Sequence, residues 1–522
     1  MIRAPMKAIQ DMRLRVAFSG VAVSLLLAAC AGGFGGDGFN RASAERMIGA
    51  GYSQITTRYL EPVTLEAIAT AGLSGLHDID PDLRLAESAG GYTVYYKGSE
   101  ISFRAKPSAR AGAEKWAEMT IAILQDGRKS SDILARVDAE TLYDAILQNA
   151  VSILDPFSRY DSPARAREER AQREGFDGIG IAVVVGEDSV RVGLVYAETP
   201  AAAAGLVPGD MILAADERPL AGLSPTTVVN LLRGPPRSIV TLKVLRDGVA
   251  EPFDVAVERS HIVLPTVEAR RTNDVLHIHL TGFNQETARR LAGVLGGIDH
   301  SDTALKGLVL DLRGNPGGLL DQAIEVADLF MSSGVILTTD GRHPDADQNF
   351  AAGGQDLARG LPLVVLINGN SASAAEVVAA ALQDRGRGLI VGTNSFGKGS
   401  IQSITRLPND GELTLTWARF VAPSGYAIHG LGLLPDICTA GNEGPASAQI
   451  AAATRAMESH VIQATQWRIQ PVATAERRAV LRSYCTADPS LRDSDMAVAL
   501  GLLNDRGLYN RLLAASHQAA SR

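Results

Sequence analysis

A chain of 522 residues is long enough to bury about two to four separate cores. With 46% hydrophobic, 21% charged and 5% aromatic residues it has the make-up of a globular chain, which excludes a disordered or fibrous one. A formal net charge of -8, with no segment presenting a basic face, argues against a nucleic-acid partner.

The first thirty residues read as a secretory signal. Arg13 and Arg15 precede the apolar run "VAFSGVAVSLLLAAC", which is short for a mature bilayer span and ends in small residues. Its ending, Leu27 to Cys30, resembles the lipobox of bacterial lipoproteins. That resemblance implies a signal peptide over residues 1–29, lipidation of Cys30, and a periplasm-facing lipoprotein of the bacterial envelope held to a membrane by its lipid. Because no Asp directly follows Cys30, it points to the outer membrane rather than the inner one. The glycine-rich stretch that follows, over residues 30–41, reads as a flexible tether. With Cys30 lipidated, Cys438 and Cys485 remain as a candidate disulfide in an oxidising compartment.

Residues 42–173 carry apolar positions at three- and four-residue spacing in "AERMIGAGYSQITTRYL", "AEKWAEMTIAIL" and "AETLYDAILQNAVSIL", the mark of amphipathic helices. A short strand pair, "YTVYYKG" and "ISFRA", interrupts them, so the region reads as a helix-rich N-terminal domain. Over residues 174–260 the period changes. The runs "GIGIAVVVG", "SVRVGLVYA", "DMILAADE" and "IVTLKVLRD" are strand-like and bounded by Gly, Pro and Asp, and "SPTTVVNLLRG" is a helix capped by Ser224. This is the alternation of a small β-barrel or sandwich. In their order, "GIGI", "TPAAAAGLVPGDMILAADERPL" and "LLRGPPRSIVTLKVLR" resemble a PDZ domain. By that resemblance Gly178, Ile179, Gly180 and Ile181 would hold an extended peptide, often a carboxy-terminal one, against an exposed sheet edge.

Residues 261–445 alternate strands and helices: "VLHIHLTGF", "QETARRLAGVLGGI", "GLVLDLRG", "LLDQAIEVADLF", "LPLVVLING", "AAEVVAAALQDRG", "GLIVG". Such alternation predicts a sheet covered by crossover helices. In "VLHIHL" the side chains of His277 and His279 share one face, which reads as a polar sheet face. Residues 446–522 return to helical spacing, a helical C-terminal appendage.

Chemistry concentrates where a strand of this third region gives way to a helix, in "NGNSASAAEVVAAALQD". A serine there, Ser371 or Ser373, would sit where unpaired backbone N–H groups and the positive end of the helix dipole can hold an oxyanion. Either could equally act as a helix cap. "NSFGKGSIQ" supplies a base: Lys398 stands between two glycines, and a neutral lysine can deprotonate a serine if burial lowers its pKa by roughly two to three units. Gln402 could orient the amine. A fully extended chain from 398 to 402 would hold the two Cα atoms about 13 Å apart, so a bend is required between them.

With "DPFSRY", "DLRGNPGG" at Asp311 to Gly318 and "APSGYAIHGLGLLPDI", these motifs make the chain from about Ala42 to Asp436 resemble the carboxy-terminal processing peptidases, serine proteases with a Ser-Lys dyad and an embedded PDZ domain. The resemblance implies a mixed α/β multidomain protein with a helical N-terminal domain, a PDZ domain, and an α/β peptidase core with crossover helices. It implies Ser373, the second serine of S-A-S, as nucleophile, Lys398, 25 residues later, as base, and Gln402 beside it. Oxyanion donors are expected from the backbone of Ala374 and of Gly317 or Gly318. Ala375 stands where the family commonly has a serine, outside the dyad, and His429 is given no role. No cofactor or metal is implied. The partners implied are polypeptides, held by the PDZ domain and an active-site groove; the sequence leaves a homo-oligomer or an adaptor open. A catalytically inactive PDZ-containing scaffold would be expected to lose Ser373 or Lys398, and both are kept. A Ser-His hydrolase is disfavoured because no G-x-S-x-G surrounds Ser373.

Overall fold

The computed structural model describes residues 39–299, 301, 304–441, 444–469 and 474–520, so the expected signal peptide and the expected lipidation site Cys30 lie outside the described residues. The peptidase region is built on six strands in the order Val267–Thr272, Val275–Leu280, Gly307–Asp311, Leu363–Ile367, Leu389–Gly392 and Ile437–Cys438. The first pair is antiparallel and the rest are parallel. The parallel strands follow one another across the sheet in chain order, and right-handed crossovers then send every connecting helix to the same face. The packing agrees. Leu363, Val365 and Ile367 point into a core shared with Leu291, Val326 and Val378 of the crossover helices.

One face covered by crossovers leaves the other bare, yet Val364 and Leu366 are fully buried. Ile450, Val498, Leu502 and Tyr509 of the C-terminal helices close that second face. Trp467 and Leu481, also from the C-terminal region, enter the first core at its rim. Cys438, at the end of the last strand, is disulfide-bonded to Cys485. A bridge across 47 residues stabilises by about 4 kcal/mol at most through loop entropy. Cys438→Ser is therefore expected to lower the unfolding free energy by about 2–4 kcal/mol in urea titrations under non-reducing conditions; an unchanged midpoint would deny the bridge a stabilising role.

A second sheet, antiparallel, lies beside the first, with Gln348–Ala352, Gly334–Asp340, Glu412–Val421 and Ser400–Arg406 in that order. Its long strand also pairs with Arg159–Asp161, which arrives from the N-terminal region. Leu407, Leu413 and Leu415 of this sheet complete the N-terminal core around Tyr52, Leu124 and Leu147. The N-terminal region's own sheet has three strands, with Leu83–Glu87 joining the expected pair. The PDZ strands surround Val192, Leu242 and Val244, and Ser224 caps the Pro225–Leu232 helix. A two-stranded neck, Phe176–Gly178 against Ser260–Ile262, joins this domain to the peptidase region.

Candidate active site

The strand Leu363–Ile367 ends at a turn that leads into the helix Ala374–Asp384. Ser371 and Ser373 share that turn but differ in state. The Ser371 hydroxyl is fully buried, donates to the Leu312 carbonyl at 2.8 Å and accepts from the Asn368 N–H at 2.9 Å. It holds the turn to the neighbouring strand. Ser373 is half-buried and has φ 55, a left-handed backbone that side chains avoid at a cost of about 1–3 kcal/mol.

Gly317 fits against this strained residue because it lacks a side chain. A Cβ there would stand 2.8 Å from the Ser373 Cβ. The loop bearing Gly317 and Gly318 is fixed from several sides. Asn315 accepts from the Gly317 N–H at 2.9 Å and from the Ala372 N–H, through its carbonyl, at 2.9 Å. Arg313 donates to Asp311 at 2.7 Å and to the Arg492 carbonyl at 2.7 Å, which ties the loop to the C-terminal region. Burial would raise the Asp311 pKa, but bonds from Arg313 and His277 outweigh it and hold the carboxyl well below the usual range.

Glu376, in the first turn of the 374–384 helix, is fully buried and joins the serine turn to the lysine loop. Its carboxylate accepts from the N–H groups of Ser373 at 2.9 Å, Gly397 at 2.7 Å and Lys398 at 2.8 Å, and from the Ser395 hydroxyl at 2.5 Å. Burial raises its pKa while these four donors oppose the rise. Arg482, from the C-terminal region, ties the lysine loop to a later one through the carbonyls of Ser395 at 3.2 Å and Leu431 at 2.6 Å.

The Lys398 Nζ lies 5.2 Å from the centre of the Phe157 ring. Burial lowers its pKa and the Arg159 charge lowers it further, against smaller opposing effects of Glu376 and Asp155. Phe157 and Arg159 belong to "DPFSRY", so the N-terminal region supplies one wall of the lysine's surroundings. After Lys398 the chain enters the strand Ser400–Arg406, and where Gln402 pairs with Thr416 the ladder has a β-bulge whose extra residue, Trp417, lies on the opposite strand Glu412–Val421.

One cavity of about 600 Å³ is lined by Ser373, Ala374, Lys398, Gln402, Gly317 and Gly318 together. Arg159 also lines it, and no histidine does among the described residues. His429 sits edge-on to Phe157 at 6.2 Å, its pKa lowered first by burial. His277 and His279 stack on the strand Val275–Leu280, and His277 contacts Asp311 at 3.3 Å. Gly178, Ile179, Gly180 and Ile181 line a separate groove of about 310 Å³ with Val229 and Leu232 of the PDZ helix.

Sequence reasoning passed over Glu376, Asp155 and Arg159. A signal for Glu376 existed: Ser373 followed three residues later by Glu has the spacing of a capping box. The other two act across the fold from far along the chain, and no spacing rule reaches them.

Residues 274–439 match the family model Peptidase family S41, and residues 191–246 match that of a PDZ domain. The first match contains Ser373, Lys398 and Gln402; the second begins beyond Ile181. The Carboxy-terminal-processing protease of Bartonella bacilliformis is 40% identical over 303 residues, 58% of this chain and 70% of that protein. Carboxy-terminal processing protease CtpA of Bacillus subtilis is 29% identical over 353 residues, 67% of this chain and 74% of that protein. Among solved structures, the PDZ domain of Carboxy-Terminal Protease from Vibrio cholerae in complex with peptide is 30% identical, covering 17% of this chain and 98% of that one with a TM-score of 0.16. Identity at the level of the Bartonella protein, over more than two thirds of its length, places the chain among the carboxy-terminal processing proteases, PDZ-bearing serine peptidases of family S41.

Proposed function

We propose that this protein is a serine endopeptidase that cleaves exported or envelope proteins near their C-termini, with Ser373 as nucleophile and Lys398 as its base. The observation that carries this reading is the cavity shared by the two side chains, in which burial and Arg159 hold the lysine below its ordinary pKa.

A neutral Lys398 amine takes the Ser373 hydroxyl proton as the oxygen attacks a peptide carbonyl carbon. The carbonyl electron pair moves onto its oxygen, which the Ala374 and Gly318 N–H groups hold. Ala374 opens its helix, so its N–H is among those that intrahelical bonds leave over. Gly318 is preferred to Gly317 because the Gly317 N–H already donates to Asn315. Collapse breaks the C–N bond, and the ammonium returns its proton to the leaving amine. Water, deprotonated by Lys398, then attacks the acyl-enzyme and releases the acid and Ser373. Gln402 orients the amine.

In this reading the PDZ groove at Gly178 to Ile181 takes substrate C-termini by strand addition and gates cleavage. A lipid on Cys30 would hold the enzyme at the outer membrane, facing the periplasm.

Activity is expected to rise with pH as the amine loses its proton, with a midpoint below the free-lysine value of about 10.4. A nearby cation disfavours the ammonium, so Arg159→Gln is expected to move that midpoint upward. A kcat/KM profile on a fluorogenic peptide checks both. A limb near pH 6.5 that vanishes on replacing His429 would sink the lysine base.

A further inference from the structure

We propose that Asp155, which belongs to the segment leaving the N-terminal domain, is a positioning residue of the active site: through the Thr416 hydroxyl it fixes which end of the Gln402 amide faces Lys398. This rests on the reading above of Lys398 as base and Gln402 as its orienting partner.

The Tyr59 side chain hydrogen-bonds the Asp155 carboxylate, and four further donors converge on it. They are the N–H groups of Phe157 at 2.8 Å and Ser158 at 3.1 Å, the Ser158 hydroxyl at 2.7 Å, and the Thr416 hydroxyl at 3.0 Å. The first three form the tight turn of "DPFSRY". The fourth crosses to the long strand of the antiparallel sheet, where Thr416 is buried. A carboxylate only accepts, so the single hydroxyl hydrogen of Thr416 is committed to Asp155. Towards every other neighbour Thr416 can offer lone pairs alone.

Gln402 is that other neighbour. Its Nε2 donates to Thr416 Oγ1 at 3.2 Å and to Ser400 Oγ at 3.0 Å. The two ends of an amide are nearly isosteric, and the partners alone decide between them. With Thr416 unable to donate, the nitrogen must face it. The Gln402 oxygen is then left for a donor in the cavity that Gln402 shares with Lys398. A neutral amine has N–H bonds to give that oxygen and keeps its lone pair for the serine proton. A reversed amide would present N–H groups to the amine and compete for that lone pair. Gln402 stands directly opposite Thr416 in the ladder, the extra residue of the bulge being Trp417 on the Thr416 strand, so the two side chains share a face within reach of each other.

The N-terminal domain thus enters the chemistry twice. Phe157 and Arg159 border the amine, and Asp155, four residues before the first residue of the strand Arg159–Asp161, sets its partner.

The test is a double-mutant cycle on the full chain, with kcat and KM read on a peptide substrate and the rate of Ser373 modification by a fluorophosphonate as a second readout. Thr416→Val keeps the shape and removes the hydroxyl. It is expected to lower kcat about tenfold, the worth of one hydrogen bond, with KM unchanged. Thr416→Ser, which restores the hydroxyl, is expected to restore the rate. Asp155→Asn can donate to Thr416, turn its hydroxyl towards Gln402 and reverse the amide, so it is expected to match or exceed the valine loss. In a Gln402→Ala background Thr416→Val is expected to have no further effect on the residual turnover or on the modification rate, whereas Asp155→Asn keeps only the part that its charge exerts on Lys398. Equal loss in the two backgrounds, or a Thr416→Val protein with the parental rate, overturns the proposal. Unimpaired activity of Gln402→Ala by itself would remove Gln402 and this proposal together while leaving Ser373 and Lys398 in place.

Discussion

Ser373→Ala and Lys398→Ala are each expected to reduce peptide cleavage by about 10³-fold or more, with the fold intact. Loss of the serine removes the attacking oxygen. Loss of the lysine leaves the hydroxyl without its proposed base, and among the described cavity walls no histidine stands to replace it. Stability moves little or in the opposite sense. Alanine at position 373 keeps the left-handed backbone, whereas Ser373→Gly is expected to gain about 1 kcal/mol by relieving it while remaining inactive. For Lys398 the folded pKa lies below the unfolded one, so the unfolded chain binds more protons between the two values and stability climbs with pH across that window. At lower pH the protonated amine is carried in the fold at full cost. Lys398→Ala is therefore expected to unfold at a slightly higher urea concentration than the parent there. A lysine variant that cleaves at the parental rate, measured by release of the C-terminal fragment, would contradict the assignment.

Glu376 is expected to matter nearly as much without entering the reaction. Two of its four donors, Ser395 and Gly397, are buried with it and the other two partly so, and each buried one left unpaired costs about 1–3 kcal/mol. Glu376→Ala should therefore lose several kcal/mol of stability and, in whatever remains folded, the register between the serine turn and the lysine loop. Glu376→Gln is the sharper variant. It keeps the volume but turns one acceptor into a donor, which must then face either the N–H groups of Ser373 and Lys398 or the Gly397 N–H and the Ser395 hydroxyl. We expect a loss of at least about 10² in kcat with a smaller change in urea midpoint, since misplacing reacting groups by about an ångström is enough for that loss. Parental kcat in Glu376→Gln would show that the carboxylate does not register the two loops.

The sequence made legible whatever follows from local period. Apolar runs such as Gly307–Asp311 and Leu363–Ile367 are buried on both faces and announce themselves as parallel strands. The antiparallel sheet was harder to read. Ser400–Arg406 and Gln348–Ala352 are short, partly exposed and rich in polar residues, so their pairing is set by partners distant in the chain rather than by their own pattern. The C-terminal helices were recognisable as helices. That they cover a sheet face follows only once the strand order shows that all crossovers leave on one side. Within the candidate site, Ser373 and Lys398 were found through the resemblance and the glycines beside the lysine. Asp155 and Arg159 stood in a motif that had been noticed but given no chemistry, because their partners Thr416 and Lys398 lie more than two hundred residues away.

The most direct measurement is the site and pH dependence of covalent labelling by a fluorophosphonate, followed by peptide mapping of the modified chain. The account predicts a single modification on Ser373, with a rate that rises towards alkaline pH in the parent and loses that dependence, at a much lower level, in Lys398→Ala. Label on Ser371 or any other residue, or labelling of Ser373 that is indifferent to Lys398, would contradict it.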